Sequence, residues 1–265
     1  MSEMTSLQFR RDEIGKRYLA GESSYDIAKN IGVHPENIRQ ILIRLDISRK
    51  TRKELNRFRA NSVNLSPELR SRVNGWLLGD GSISYSGFSG LFHLTSKHKE
   101  YVNFAQRLFE SEGIKCKTYT NIDKKYKTEG HKLFTISTLE FAELYHKWYL
   151  NGKKIVPKDI LLNSHVIKTW IMDDGTISES KGHLRLCTCG FIVQDCERLS
   201  EKLNDFIGIK RASHVIEKYK YPRIYVPKRY TLQLMQKLGA CEVNCFQYKW
   251  NNSERMVNKC LELFK

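Results

Sequence analysis

Two short phrases, each with an aspartate in front of a glycine, are the residues best suited to chemistry. Residues 79–84 read Gly-Asp-Gly-Ser-Ile-Ser and residues 173–178 read Asp-Asp-Gly-Thr-Ile-Ser, each behind an apolar run that predicts the end of a buried helix. We expect the glycine after each aspartate to end its helix in a left-handed turn.

Asp80 and Asp174 would then lie at helix C-termini, where the macrodipole disfavours an anion. Each carboxylate therefore needs a compensating cation. Two such carboxylates side by side favour a divalent metal between or beside them. A purely structural capping role for the two aspartates is the alternative.

The composition indicates the class of partner and the compartment. The chain has 265 residues and a formal net charge of +16, which favours a polyanionic partner because each neutralised phosphate releases counterions; a solvated basic surface is the alternative. Seven cysteines without a CxxC pair indicate buried thiols rather than a disulfide framework or a zinc ribbon. The sequence has no long apolar run and starts with polar residues, so we expect neither a membrane partner nor a secreted protein. The protein would be intracellular, either in the cytoplasm, in a bacterial or phage context, or in an organellar matrix.

The first 48 residues predict an all-α helix-turn-helix domain. Ala28 allows close helix packing, Gly32 suits the tight turn, and isoleucines recur where such a unit needs apolar contacts; a plain helical hairpin is the alternative. Its second helix would present side chains that can bind base edges or phosphate: Glu36, Asn37, Arg39, Gln40 and Arg44.

Residues 49–64 are predicted to form a basic linker. It either follows the phosphate backbone of DNA or is merely solvated. Its candidate DNA contacts are Arg49, Lys50, Arg52 and Lys53.

From residue 65 onward the chain repeats itself. Asp80 and Asp174 are 94 residues apart, the length of one repeat, and the halves 65–156 and 157–265 carry matching helix and strand patterns. Two tandem αββαββα halves predict an α+β fold with pseudo-twofold symmetry. Because duplex DNA is itself close to twofold symmetric, such a protein could present one centre to each strand.

Alternation in the strands predicts one apolar and one polar sheet face. Phe92 and Leu94 oppose His93, and Leu184 and Leu186 oppose Arg185. The polar faces would form a basic curved surface suited to the major groove, with these candidate DNA contacts: His93, Lys97, Lys117, Arg185, Lys218, Lys220 and Arg223.

Residues 73–81 and 167–175 resemble the two copies of the LAGLIDADG motif, and the duplicated body resembles a single-chain, double-motif homing endonuclease. The resemblance implies a saddle of antiparallel sheets across DNA and motif helices packed at the interface of the halves. It implies Mg²⁺, with Mn²⁺ able to substitute, bound by Asp80 and Asp174 between the scissile phosphates. Lysines that match the basic residues near each centre are Lys154 and Lys249, which occupy equivalent places in the repeat; ordinary phosphate contact is the alternative for both.

The second motif departs from the pattern of the first. Gly75 and Gly79 give the first helix a small packing face, whereas Thr169 and Asp173 stand at those places in the second. If buried, Asp173 needs a hydrogen-bond partner. Gly79 and Asp173 join the candidate metal-binding residues, but Asp174 is favoured over Asp173 because it alone precedes the glycine, as Asp80 does.

The sequence therefore predicts a Mg²⁺-dependent, site-specific DNA endonuclease of the intron or intein homing type. It would act as a monomer on double-stranded DNA with a long, near-asymmetric target, hydrolysing one phosphodiester in each strand. Two alternatives use the same scaffold: a catalytically inactive DNA-binding regulator and an RNA maturase.

Overall fold

A computed structural model describes the backbone of residues 3–48, 63–123, 128–216 and 221–252, and the side chains of 11–48, 63–122, 129–216 and 221–252. The chain forms two compact units. The first comprises Met1–Ser62 with the short segment Gly87–Ser89, and the second comprises Val63–Ser86 with Gly90–Lys265. Within the described residues, no helix has the length and apolar character needed to cross a membrane.

Residues 3–48 of the N-terminal unit form three helices with a small core of their own: α1 (Glu3–Leu19), α2 (Ser24–Ile31) and α3 (Pro35–Arg44). The Ser23 side chain caps α2 by accepting from the Asp26 backbone N–H. Gly32 follows α2 with φ of 77°, a conformation that favours glycine. The core side chains are Ile14, Tyr18, Ile27, Ala28, Ile38 and Leu42.

The larger unit repeats one pattern of helices and strands. Its first half contains α4 (Pro67–Leu78), β1 (Gly81–Tyr85), β2 (Gly90–Ser96), α5 (Lys99–Ser111), β3 (Cys116–Asp123), β4 (Thr128–Thr135), α6 (Leu139–Trp148), β5 (Tyr149–Leu150) and β6 (Lys153–Lys154). The second half contains α7 (Ser164–Asp174), β7 (Gly175–Ile177), β8 (Leu184–Cys187), α8 (Val193–Ile207), β9 (His214–Ile216), β10 (Arg223–Val226), α9 (Lys228–Leu238) and a 3₁₀ turn (Asn244–Phe246).

Two four-stranded antiparallel sheets confirm the predicted duplication. Their strand orders are β1-β2-β4-β3 and β7-β8-β10-β9, the same order in each half. The predicted alternation also holds, because Phe92, Leu94, Leu184 and Leu186 are fully buried beneath the helices. The α+β fold with tandem αββαββα halves is therefore as the sequence predicts.

Several strands differ in extent from the prediction. The short strands β1 and β7, which follow the motifs directly, had no separate prediction because three to five residues after a helix carry little periodicity. The polar residues before Leu133 do not predict a strand, but β4 begins at Thr128 and pairs with all of β3. The ribbon of β5 and β6 is also additional to the predicted elements.

The motif helices α4 and α7 pack directly against each other. A Cβ on Gly75 would lie 2.6 Å from the Val166 carbonyl oxygen, and one on Gly79 would collide with the Asp173 side chain. The first helix therefore supplies the small face that permits close approach, as its glycines predict.

The expected left-handed turns after the motif aspartates are wrong. Gly175 has φ of −80°, and neither it nor Gly81 is among the positive-φ glycines. A Cβ on Gly81 would lie 2.7 Å from the Trp76 Cβ, and one on Gly175 would lie 2.6 Å from the Ile171 carbonyl oxygen. Both glycines are needed because the chain doubles back onto its own helix to enter β1 or β7.

Candidate active site

The two motif aspartates line one cleft in the larger unit. Asp80 lies in the turn after α4, and Asp174 is the last residue of α7. The space between them has a volume of about 900 Å³, and we call it the motif cleft. Its lining also includes Thr95, Lys97, His98, Asn121, Lys132, Asp173, Thr176, Cys187, Tyr248 and Lys249.

Asp173 is hydrogen-bonded through both carboxylate oxygens. Oδ2 accepts from the backbone N–H of Asp80 at 3.1 Å, and Oδ1 accepts from the Tyr101 hydroxyl at 2.6 Å. The Tyr101 oxygen in turn accepts from Trp76 Nε1 at 2.8 Å. The sequence required such a partner for Asp173, and these contacts supply it across the interface of the halves. Asp173 thus fixes the turn that carries Asp80.

Burial and mutual repulsion raise the pKa values of the motif carboxyl groups. For Asp174, burial followed by the charge of Asp80 raises the pKa to about 6, against the opposing effect of Lys154 and Lys249. Burial also raises the pKa of Asp80 above its usual value. The charge of Asp80 reaches Asp174 and raises its pKa. Two negative charges in this cleft are therefore unfavourable unless a cation is bound nearby.

A lysine occupies the carbonyl end of each motif helix. Lys154 Nζ donates to the Gly81 carbonyl oxygen at 2.7 Å and to that of Gly79 at 3.4 Å. Lys249, in the helical residues 247–252, donates to the carbonyl oxygens of Ile171 at 2.8 Å and Met172 at 2.6 Å. The ammonium group of Lys249 therefore offsets the negative end of α7. That of Lys154 binds the turn between α4 and β1 on both sides of Asp80.

Burial lowers the pKa of both lysines, although the neighbouring aspartates oppose the effect. The pKa of Lys249 falls to about 8, and that of Lys154 is also below its usual value. Lys249 is only 5% exposed. With a pKa of about 8, Lys249 remains mainly protonated at neutral pH. An ammonium group has three donors, so two described carbonyl contacts leave one N–H for a phosphate or a water.

The donor chemistry of the motif cleft fits a hard divalent cation. Asp80 and Asp174 offer carboxylate oxygens, which Mg²⁺ prefers. Burial raises the pKa of both groups, and the charge of Asp80 adds to the shift at Asp174, so a cation near both carboxylates would be favourable. Among the described side chains, no group of three or more His, Cys, Asp or Glu is placed to hold a metal. Two carboxylates with water and substrate phosphate complete the kind of site that Mg²⁺ commonly uses.

The candidate DNA-binding residues of the first sheet lie on its polar face or at the cleft. Lys117 is exposed on β3, and Lys97 is exposed at the rim of the motif cleft. His93 contacts the Ser82 hydroxyl at 3.1 Å and stacks on Phe134 with 5.7 Å between ring centres. Burial, and then the charges of Lys154 and Lys132, lower the pKa of His93, so its imidazole is neutral at pH 7.

In the second sheet Arg185 and Arg223 are half-buried on the same face as the ring of Tyr225. Tyr225 lies between His183, 4.8 Å away, and His214, 5.2 Å away, measured between ring centres. The face is thus partly aromatic as well as basic. Lys218 and Lys220 lie outside the described residues.

In the N-terminal unit, the candidate residues of α3 lie on its surface. Glu36 pairs with Arg39 at 2.6 Å and accepts from Gln40 at 3.4 Å, so these three side chains engage one another. Asn37 and Arg44 are exposed. DNA contact by this helix stays a prediction. Arg49, Lys50, Arg52 and Lys53 lie outside the described residues.

Sequence reasoning missed Tyr101 and Phe246. Tyr101 is fully buried and connects Trp76 to Asp173, and Phe246 packs edge-on against it with 4.9 Å between ring centres. Tyr101 lies on the apolar face of a predicted helix and Phe246 in the segment before Lys249, so composition and period alone assign both to the core. Their role becomes visible only once the halves are packed together.

The chain is similar to several known proteins. A cytochrome b mRNA maturase, bI2, of Debaryomyces hansenii is 29% identical over 199 residues, 71% of this chain and 75% of its own length. An uncharacterised protein of Methanocaldococcus jannaschii is 26% identical over 172 residues, 63% of this chain and 67% of its own. The homing endonuclease I-WcaI, solved with its DNA recognition sequence, shares the fold at a TM-score of 0.56 and 21% identity, covering 72% of this chain and 88% of that one. The family model of the LAGLIDADG DNA endonucleases matches residues 70–234, which is more than half of the chain, and the protein belongs to that family.

Proposed function

We propose that this protein is a site-specific DNA endonuclease of the homing type that hydrolyses one phosphodiester in each strand of a duplex. One observation carries the proposal: Asp80 and Asp174, from the two copies of one motif, line the same cleft, and a lysine lies at each helix end. Since both centres belong to one chain, a monomer suffices. The two halves carry different side chains, so the target would be long and near-asymmetric.

Asp80 and Asp174 would hold Mg²⁺, with Mn²⁺ able to substitute. When bound, the metal supplies activation of water and stabilisation of charge on the phosphate. Lys154 and Lys249 keep positive charge beside the reacting phosphate and hold the helix ends that carry the aspartates. Asp173 and Tyr101 fix the backbone before β1, so Asp80 is positioned before substrate arrives.

The two sheets would bind the flanks of the target through their polar faces. His93, Lys117 and Arg185 lie on those faces, where a curved basic and aromatic surface suits the major groove. The predicted helix-turn-helix would extend the contact to one flank. A shorter footprint after removal of residues 1–64 would support that extension, and an unchanged footprint would refute it.

Cleavage of plasmids that carry candidate intron insertion sites tests the proposal. We expect specific double-strand breaks in Mg²⁺ or Mn²⁺ and none in EDTA. Specific binding that never yields a break in Mg²⁺ would contradict the nuclease function and favour a DNA-binding regulator. The matched control is a plasmid with the same backbone and a scrambled insertion site.

Similarity to a cytochrome b mRNA maturase favours RNA splicing as a second candidate function. An intron splicing assay separates the two. Accelerated splicing of a cognate intron transcript, without cleavage of the matching intronless DNA, would favour the maturase. DNA cleavage without any effect on splicing would favour the endonuclease.

A further inference from the structure

The backbone that carries Lys154 is held by side chains of the other half. The backbone N–H of Val156, two residues after the lysine, donates to Asp195 Oδ2 at 3.0 Å. Arg198 Nη2 donates to the Val156 carbonyl oxygen at 2.9 Å, and it pairs with Asp195 Oδ1 at 2.8 Å. Asp195 is only 5% exposed. Both backbone polar groups of Val156, its N–H and its carbonyl oxygen, are therefore bound by side chains of helix α8.

The backbone before Lys249 is held in the same way by the first half. Glu100 Oε1 accepts from the backbone N–H of Asn244 at 3.1 Å, and Oε2 accepts from that of Cys245 at 3.1 Å. These two N–H groups begin the 3₁₀ turn that leads into the helical residues 247–252. Such N–H groups have no partner within the turn, so an acidic side chain is a favourable cap.

The next residue, Phe246, reinforces the contact. Its ring packs edge-on against Tyr101 at 4.9 Å and against His98 at 5.1 Å, both from the first half. Lys249 Nζ lies 5.0 Å from the centre of the same ring. The lysine is thus supported by a segment whose place is set by α5.

The two acidic residues occupy equivalent places in the repeat. Glu100 and Asp195 both lie in the first turn of the helix that follows the second strand of their half. They are 95 residues apart, as are Lys154 and Lys249. Each acid accepts from backbone N–H groups near the lysine of the other half, and the spacing of 95 residues is within one residue of the 94 that separate Asp80 from Asp174. This recurrence in both halves argues against a chance surface interaction.

We propose that Asp195 and Glu100 are reciprocal positioning residues, each holding the lysine of the opposite half in place at its motif helix. Asp195 of the second half positions Lys154 at the carbonyl oxygens on either side of Asp80, and Glu100 of the first half positions Lys249 at the carbonyl oxygens of the last turn before Asp174. The inference rests on the proposed nuclease function and adds that each catalytic centre is assembled from both halves. Neither centre is then complete without the neighbouring half.

This arrangement predicts that replacing Asp195 or Glu100 slows cleavage of one DNA strand and not of the other. Loss of the Asp195 contacts frees the Val156 peptide and lets Lys154 shift, while Lys249 stays held by Glu100. Because a displacement of about 1 Å at a catalytic group can cost about 100-fold in rate, cleavage at one centre should slow by about 10- to 100-fold. The other centre should keep its rate.

The experiment measures cleavage of each strand separately in a target labelled at both 5′ ends, in Mg²⁺, under single-turnover conditions. We expect Asp195→Ala to slow the strand that Lys154→Ala slows, and Glu100→Ala to slow the other strand, so nicked DNA accumulates in both. Glu197→Ala and Glu110→Ala remove exposed acids from the same two helices and should cut both strands at the wild-type rate. Equal slowing of both strands, or slowing of the same strand by both Asp195→Ala and Glu100→Ala, would overturn the proposal.

A second readout does not depend on activity. Amine-reactive labelling followed by mass spectrometry should show faster modification of Lys154 in Asp195→Ala and of Lys249 in Glu100→Ala. Unchanged labelling of both lysines would overturn the positioning roles even if cleavage is slow. If wild-type protein cuts neither strand, the nuclease function fails and the labelling result alone decides the positioning. Should an alanine variant fail to fold, Asp195→Asn and Glu100→Gln test the same contacts, because each removes one acceptor oxygen.

Discussion

Replacing Gly75 with alanine should push the two motif helices apart. A Cβ at this position would lie 2.6 Å from the Val166 carbonyl oxygen and 2.7 Å from the Thr169 Cβ, whereas ordinary contact begins at 3.4 Å. The helices must therefore separate by up to 0.8 Å at this crossing, the difference between those distances to the carbonyl oxygen. A backbone carbonyl within a helix cannot rotate away, so the strain falls on the interface.

Overpacking of this kind costs about 1–3 kcal/mol. Alanine regains up to about 1 kcal/mol because it favours a helix more than glycine does. A net loss of about 1–2 kcal/mol should lower the melting temperature by about 2–8 °C for a unit of this size. Because Asp80 and Asp174 end the same two helices, the separation should also slow cleavage by about 10- to 100-fold.

Thermal unfolding by circular dichroism and single-turnover cleavage of a target plasmid measure the two effects. Gly190→Ala is the matched control, since Gly190 is exposed and a Cβ there meets nothing within 4 Å. The reasoning is refuted if Gly75→Ala melts and cleaves like wild type. It is equally refuted if Gly190→Ala produces the same losses.

Two further substitutions test contacts between the halves. Tyr101→Phe removes the acceptor of Trp76 Nε1 and the donor to Asp173 Oδ1, so urea unfolding at pH 7 should show a loss of about 1–3 kcal/mol; no loss would contradict the hydrogen-bonded chain. Burial alone would raise the pKa of Glu242, but the hydrogen bonds and charge of Arg72 outweigh it and lower the pKa below 4.5. Its stabilising contribution is therefore complete above about pH 4.5 and is lost as the pH falls through the lowered value. Glu242→Gln should cost about 1–3 kcal/mol at pH 7 and little in strong acid, and an equal cost at both pH values would contradict the assignment.

The duplication could be predicted from the sequence because its signals are local and occur twice. The spacing of Asp80 and Asp174, and the alternation around His93 and Arg185, suffice to place two helices and two sheets in equivalent positions. The joint cleft then follows from the pseudo-twofold symmetry. Lys154 and Lys249 are 95 residues apart, within one residue of the spacing of the aspartates, so their equivalence could also be predicted.

The conformation of the motif glycines could not be predicted from the sequence. A glycine permits either a left-handed turn or a close approach of two backbones, and only the neighbouring atoms decide between them. At Gly81 and Gly175 the neighbour is the preceding helix itself. A single sequence does not show that contact.

The hydrogen-bond partners of the buried acidic side chains could not be predicted from local sequence patterns either. Tyr101 lies 72 residues from Asp173, and Val156 lies 39 residues from Asp195. Both pairs join elements that meet only when the halves assemble. An acid in the first turn of a helix is common for reasons of the macrodipole alone, so Glu100 and Asp195 carried no distinguishing signal.

The account depends most on a shared centre built from Asp80 and Asp174. Its most direct test is cleavage of a supercoiled target plasmid in Mg²⁺ by wild type, Asp80→Asn and Asp174→Asn, with DNA binding measured in Ca²⁺. We expect wild type to linearise the plasmid and each variant to lose double-strand cleavage while binding the target with near-wild-type affinity. Linear product from either variant at the wild-type rate would contradict the central claim.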